Sequence, residues 1–203
     1  MADIINRILK GVYRMSRIIL SSSSTAQWQQ LVHDGEVACD IQLGEELESY
    51  LVFLLMRYLE KPELMSRVMA LEFINSLEST GQIQQEQLRE VGDCCLLFSG
   101  FFPKIADKRR VNVSYYVGIG QSAYLHLADT CQKKLNQLFQ QVGHGFVNLM
   151  DVLQAIRSIG KENLLNPLEA MELWQSSGST QALKSVQQVT QGIPVYTSSD
   201  IKH

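Results

Sequence analysis

Between Glu45 and Leu59 apolar side chains fall on nearly every face of a 3.6-residue rhythm, with seven in a row from Tyr50 to Met56. A helix that is apolar all round is stable in water only when other elements surround it. The run is far short of the roughly 20 residues needed to cross a bilayer, so membrane spanning is excluded and the surrounding elements must come from the rest of the chain. Glu45, Glu46 and Glu48 open the segment, where negative charge complements the helix dipole.

The remaining sequence supplies helices to surround it. Pro62 stands where a new helix begins, and Leu64, Val68, Leu71, Ile74 or Asn75, and Leu77 follow at helical spacing until Thr80-Gly81. A further helix is expected from about Gln84 to Ser99, with Gly100 as its cap and Pro103 as a stop. Helices at roughly 131–142, 144–159, 166–176 and 179–190 are separated by Gly143, Gly145, Gly160 and Gly178. A shorter one around Trp28, Leu31 and Val32 is expected to end near Gly35. The fold class is therefore all-α, a single-domain bundle of roughly eight helices over residues 26–190. The polar tail at 191–203 is expected to be loosely held.

Residues 1–20 read as an amphipathic helix. Ile4, Ile5, Ile8, Val12, Met15 and Ile19 gather on one face, and Arg7, Lys10, Arg14 and Arg17 gather opposite them. The run Ser21–Ser24, within a linker at 21–25, separates this helix from the bundle. Four basic residues against Asp3 give the segment a charge of +3. Two placements remain open. The segment docks on its own domain near the acidic residues of 36–63, or it reaches a partner groove or an anionic membrane surface as a peripheral contact.

Composition narrows the class of function. Of 203 residues 45% are hydrophobic and 19% charged, enough to bury a sizeable core and too apolar for a disordered chain. A net charge of −3 provides no basic field for nucleic acid. Cys39, Cys94, Cys95 and Cys131 form no C-x-x-C pair, and buried reduced thiols in a cytoplasmic protein are expected.

Motifs that would carry chemistry do not assemble. Gly118-Ile119-Gly120-Gln121-Ser122-Ala123 matches G-x-G-x-x-A after a β-branched, aromatic run. Dinucleotide binding by that pattern needs a strand before it and a second strand ending in an acid about twenty residues on. The sequence around Gln132–Phe139 is helical instead, so helix from Val113, with small residues at a close helix approach, is the expectation. No His has a Glu three positions before it, as a carboxylate-bridged metal pair in a bundle would want. His126 and Asp129 share a helix face, but such a pair is common. No G-x-S-x-G occurs. No catalytic residue, cofactor or metal ligand is nominated.

One block of residues resembles a known group. Leu88-Arg89-x-Val91-Gly92-Asp93, then Leu97-x-Ser99-Gly100-Phe101-Phe102-Pro103, then Arg110-Val111-x-Val113-x-Tyr115-Tyr116-Val117-x-x-Gly120-x-x-Ala123-Tyr124-x-x-Leu127-Ala128 resembles a family of uncharacterised helical proteins of proteobacteria and other bacteria. The resemblance implies a bacterial cytoplasmic protein and carries no activity with it. Physically, Gly92 inside a helix points to a close crossing, and Asp93 to a hydrogen bond from Tyr115, Tyr116 or Tyr124. Asp93, Phe101, Phe102, Arg110, Tyr115, Tyr116 and Tyr124 either line a pocket or build a core. The functional expectation is a non-enzymatic helical interaction module with a protein partner or self-association. The alternative is a small-molecule-binding protein or enzyme with its pocket in this block.

Overall fold

A computed structural model describes residues 24–59, 68–159 and 165–190. The basic face of residues 1–20 (Arg7, Lys10, Arg14, Arg17), the helix start at Pro62 and the tail at 191–203 lie outside these residues. In chain order the helices are α1 (Ser24–Cys39), α2 (Glu45–Leu59), α3 (Met69–Glu78), α4 (Gly81–Gly100), α5 (Lys104–Lys108), α6 (Val113–Thr130), α7 (Lys133–His144), α8 (Phe146–Ile159), α9 (Pro167–Ser177) and α10 (Thr180–Thr190). The described residues contain no strand. Nine helices of ten residues or more, against the eight expected, make an all-α fold. None is long and apolar enough to cross a membrane.

Helix α4 is the spine. Its last ten residues, Val91–Gly100, are buried on every side. It makes its most extensive pairing with α6, and α3 and α8 pack on its other flanks. Helix α1 lies on α8 and α2, and α7 closes over α6. Small residues permit these approaches. A Cβ on Gly100 would sit 2.6 Å from the Leu153 Cβ, and one on Gly35 would sit 2.5 Å from the Ile156 side chain. Gly35 therefore serves packing, and α1 runs through it to Cys39 instead of stopping there. At its other end α1 begins at Ser24, which takes in the last part of the expected serine linker.

Buried polar groups on α8 satisfy the ends of neighbouring helices. Gln154 Nε2 donates to the Ser99 carbonyl at 3.1 Å, and the Arg157 guanidinium donates to the Gly100 carbonyl at 3.1 Å. These two carbonyls belong to the last turn of α4, where no N–H further along the helix is available to donate to them. Asp151 does the converse at the start of α10. Its carboxylate accepts from the Ser179 hydroxyl (2.5 Å) and from the backbone N–H groups of Thr180 (2.8 Å) and Gln181 (3.2 Å). Asn112 caps α6, and Asn166 with Glu169 forms a capping box on α9.

The G-x-G-x-x-A segment lies wholly within α6. Gly118 is exposed with open space where a Cβ would stand, whereas a Cβ on Gly120 would run into the ring of Phe146, itself fully buried. The two glycines therefore respond oppositely to alanine. Gly118→Ala is expected to stabilise by up to about 1 kcal/mol through helix propensity, and Gly120→Ala to destabilise by about 1–3 kcal/mol through overpacking. Urea denaturation of both variants checks this, and equal effects at the two positions would refute the packing role.

Candidate functional site

A buried carboxylate joins three helices at the middle of the bundle. Asp93 on α4 accepts hydrogen bonds at Oδ1 from the hydroxyls of Tyr50 on α2 (2.6 Å) and Tyr124 on α6 (2.8 Å). At Oδ2 it pairs with the Arg57 guanidinium of α2 at 3.2 Å. Arg89, one turn earlier on α4, stands 3.8 Å from the same oxygen and lies over the Tyr50 ring, 5.8 Å from its centroid. Gly92 makes room for this arrangement, because a Cβ there would come within 2.7–2.9 Å of the Tyr124 ring. Phe139 of α7 stacks on Tyr124 and meets Tyr50 edge-on.

The electrostatics fit a structural junction. Burial pushes the Asp93 carboxyl above its ordinary range, against the opposing pull of Tyr50, Arg89, Tyr124 and Arg57. Burial and then the Asp93 charge hold Tyr50 and Tyr124 well above the usual phenol range. Both phenols therefore stay protonated as donors and are unsuited to act as bases. Burial and then the neighbouring Cys94 likewise push the Cys95 thiol far up, which disfavours the nucleophilic thiolate. Among the described residues no three His, Cys, Asp or Glu side chains gather where they could hold a metal ion. His126 lies against a carbonyl of its own helix, Ser122 O at 2.9 Å, and Asp129 is exposed.

Two hollows flank the junction. The first, about 650 Å³, runs between α2 and α7 and is lined by Glu45, Glu46, Ser49, Tyr50, Phe53, Arg89, Lys134, Leu135, Leu138 and Phe139. Phe53 and Leu135 are 59% and 50% exposed, so large apolar side chains stand in solvent on both walls. Phe53 departs from the all-round burial its neighbours on α2 show. The second hollow, about 670 Å³, is lined by Arg57, Ile83, Glu86, Gln87, Arg89 and Glu90. Arg89 Nε and Gln87 Oε1 are buried there without a hydrogen-bond partner.

The residues singled out in the 93–124 block divide among separate places. Asp93 and Tyr124 meet directly. Tyr116 packs edge-on against Phe98 and Tyr115, and Arg109 lies over the Phe98 ring. Phe101 and Phe102 are buried and touch each other. Arg110 is exposed in a left-handed turn, φ 56°, where the chain leaves α5. None of Phe101, Phe102, Arg110, Tyr115, Tyr116 and Tyr124 lines either hollow. Tyr50, Arg57, Phe53 and Leu135 were not singled out. A tyrosine inside an apolar helix was a signal, since a buried phenol needs an acceptor, and so was Arg89 four residues before Asp93.

Comparison of the chain with protein-family models, with curated protein sequences and with solved structures gives no match.

The raised Asp93 fixes the sign of a pH effect. A carboxyl whose folded value lies above its unfolded one contributes stability that is complete below the unfolded pKa, near 4, and is lost as pH rises through the folded value. Asp93→Asn, which cannot ionise, lacks this loss. The stability of the wild type relative to Asp93→Asn is thus expected to fall as pH rises above about 4, read by urea denaturation over a pH series. A constant or rising difference would contradict the burial argument. Tyr124→Phe, which strips one donor from a buried acceptor, is expected to destabilise by about 1–3 kcal/mol in the same assay.

Proposed function

We propose that this chain is a non-enzymatic helical protein-interaction module, an adaptor, regulator or accessory subunit in a bacterial cytoplasm, that receives an amphipathic partner segment between α2 and α7. Membership of the bacterial helical family that residues 88–128 resemble belongs to the same proposal. The observation that carries it is the pair Phe53 and Leu135, exposed on the walls of one groove whose inner surface includes Tyr50, Leu138 and Phe139. Large apolar side chains rimmed by charge are the usual anchors of a docking site. Glu45 and Glu46 on one wall and Lys134 on the other, with Arg89, set the polar rim. A partner helix laying an apolar stripe into such a groove is a recurrent recognition mode. The inner surface is stiff, because Tyr50 is held by Asp93 and by its ring contacts, so little order has to be gained on binding.

A small-molecule site is the second reading. It rests on Gln87 Oε1, buried without a hydrogen-bond partner beside the hollow that Arg57, Arg89 and Glu90 also line, an acceptor left for a polar ligand. Affinity capture from the native host, with mass spectrometry of proteins and small molecules, separates the two. The interaction reading expects a stoichiometric protein that is retained by the wild type and reduced at least tenfold by Phe53→Glu with Leu135→Glu. Retention of the same protein by that variant would discard the groove. A copurifying metabolite lost in Gln87→Ala would favour the second reading.

A further inference from the structure

The groove between α2 and α7 is polarised from end to end. Leu47, near the start of α2, meets the end of α7, its Cδ1 lying 3.0 Å from where a Cβ on Gly145 would stand. One turn on, Tyr50 meets Phe139 with ring centroids 6.1 Å apart. The two helices therefore run antiparallel, their dipoles oppose, and side chains set the field along the groove. Taken over both helices whole, every acid stands in the first turn of α2, as Glu45, Glu46 and Glu48. The lysines and the arginine stand at the opposite end, Arg57 in the last turn of α2 and Lys133 with Lys134 in the first turn of α7. Arg57 and Arg89 share the Asp93 carboxylate. Two exposed lysines thus remain at one end and two exposed acids, Glu45 and Glu46, at the other.

This pattern selects the occupant. A groove acidic at one end and basic at the other favours neither a uniformly acidic nor a uniformly basic segment. A face polarised in the reverse sense meets opposite charge at both ends. The chain itself presents such a face. Glu45, Ser49 and Phe53 are exposed and four apart, so the outer stripe of α2 leads from acid to apolar, and Leu135 stands exposed beside the two lysines. A two-fold axis crossing the groove turns a second copy end for end. Glu45 and Glu46 of each copy then face Lys133 and Lys134 of the other, and the contact forms twice, as an isologous interface requires. A parallel alignment would oppose like charges at both ends. We infer that the face received between α2 and α7 is the same face of a second copy of this chain, packed antiparallel, so that Phe53 and Leu135 of both copies are covered. The inference rests on the reading of this groove as a protein-docking surface and names its occupant.

Sedimentation equilibrium of the full chain over a dilution series tests it. The wild type is expected to dimerise reversibly, and Phe53→Glu with Leu135→Glu to weaken the dimer by about tenfold or more. Glu45→Lys with Glu46→Lys is expected to weaken it comparably, and so is Lys133→Glu with Lys134→Glu, because each sets like charges at both contacts. Mixing these two charge-reversed variants is expected to restore wild-type association, since every contact in the mixed dimer joins opposite charges. That rescue keeps the test decisive even where Phe53→Glu with Leu135→Glu fails to fold. A wild type that stays monomeric overturns the inference. So does a dimer that survives Phe53→Glu with Leu135→Glu, or a pair of charge-reversed variants that do not rescue each other. Failure of the docking reading itself looks different. A monomeric wild type that captures another protein through Phe53 and Leu135 refutes the second copy and keeps the groove. Capture unaffected by Phe53→Glu with Leu135→Glu, from a monomeric wild type, refutes both.

Discussion

The carboxylate of Asp93 is the constraint around which the bundle is arranged. Taking a carboxylate out of water is costly unless donors replace the lost hydration. Here each oxygen has its own supply, two phenols on Oδ1 and a guanidinium on Oδ2. Because those donors come from α2 and α6, satisfying Asp93 fixes three helices relative to one another. A purely apolar contact among α2, α4 and α6 could slide by a turn with modest loss, whereas this one cannot without stranding a buried charge. Gly92 belongs to the same device, because the Tyr124 ring reaches Asp93 by crossing the space a side chain would fill.

Asp151 and Arg157 extend the same logic to the helix ends. Short connections leave the starts and stops of helices packed inside the molecule, where their free N–H and C=O groups would otherwise go unsatisfied. Helix α8 supplies the missing partners in both directions, a carboxylate for the start of α10 and an amide and guanidinium for the end of α4. Glu36 repeats the pattern locally, its buried carboxylate accepting from the Leu43 N–H at 2.6 Å. Lys184, reaching back to the Cys39 carbonyl at 2.8 Å, ties the last described helix to the first. The buried carboxylates are thus engaged by backbone N–H groups, hydroxyls and guanidinium groups.

How much of this could be read from residues alone follows from the range of each interaction. Helix positions were legible because periodicity and glycine junctions are local, and the later boundaries agree to within about two residues. The reading of Gly92 as a close crossing and of Asp93 as the acceptor for a tyrosine was also sound. It rested on the cost of a mid-helix glycine and of a buried acid, which hold in any fold. The choice among Tyr115, Tyr116 and Tyr124 could not be made, since it turns on which face of α6 meets α4. Tyr50 escaped because its partner is 43 residues away on another helix. Arg110 belongs to the block by its place in the sequence, yet what fixes its position is a left-handed backbone turn. Gly35 misled for the related reason that a glycine marks a helix end or a helix contact equally well in sequence.

Burial then separates the two kinds of apolar residue that sequence cannot tell apart. In α2 the run Tyr50–Met56 looked uniformly internal, and Phe53 alone among its first five residues stands clear of the core. In α3 the helical rhythm runs through Leu71, Ile74 and Leu77, yet Met69, Phe73 and Ser76 are the residues turned to the core. Both departures run the same way, with a stripe that satisfies helical periodicity turned outward. A hydrophobic side chain exposed singly needs no explanation. On α3 the periodic residues divide, with Met69 and Ser76 turned to the core and Leu71 and Ile74 turned to solvent.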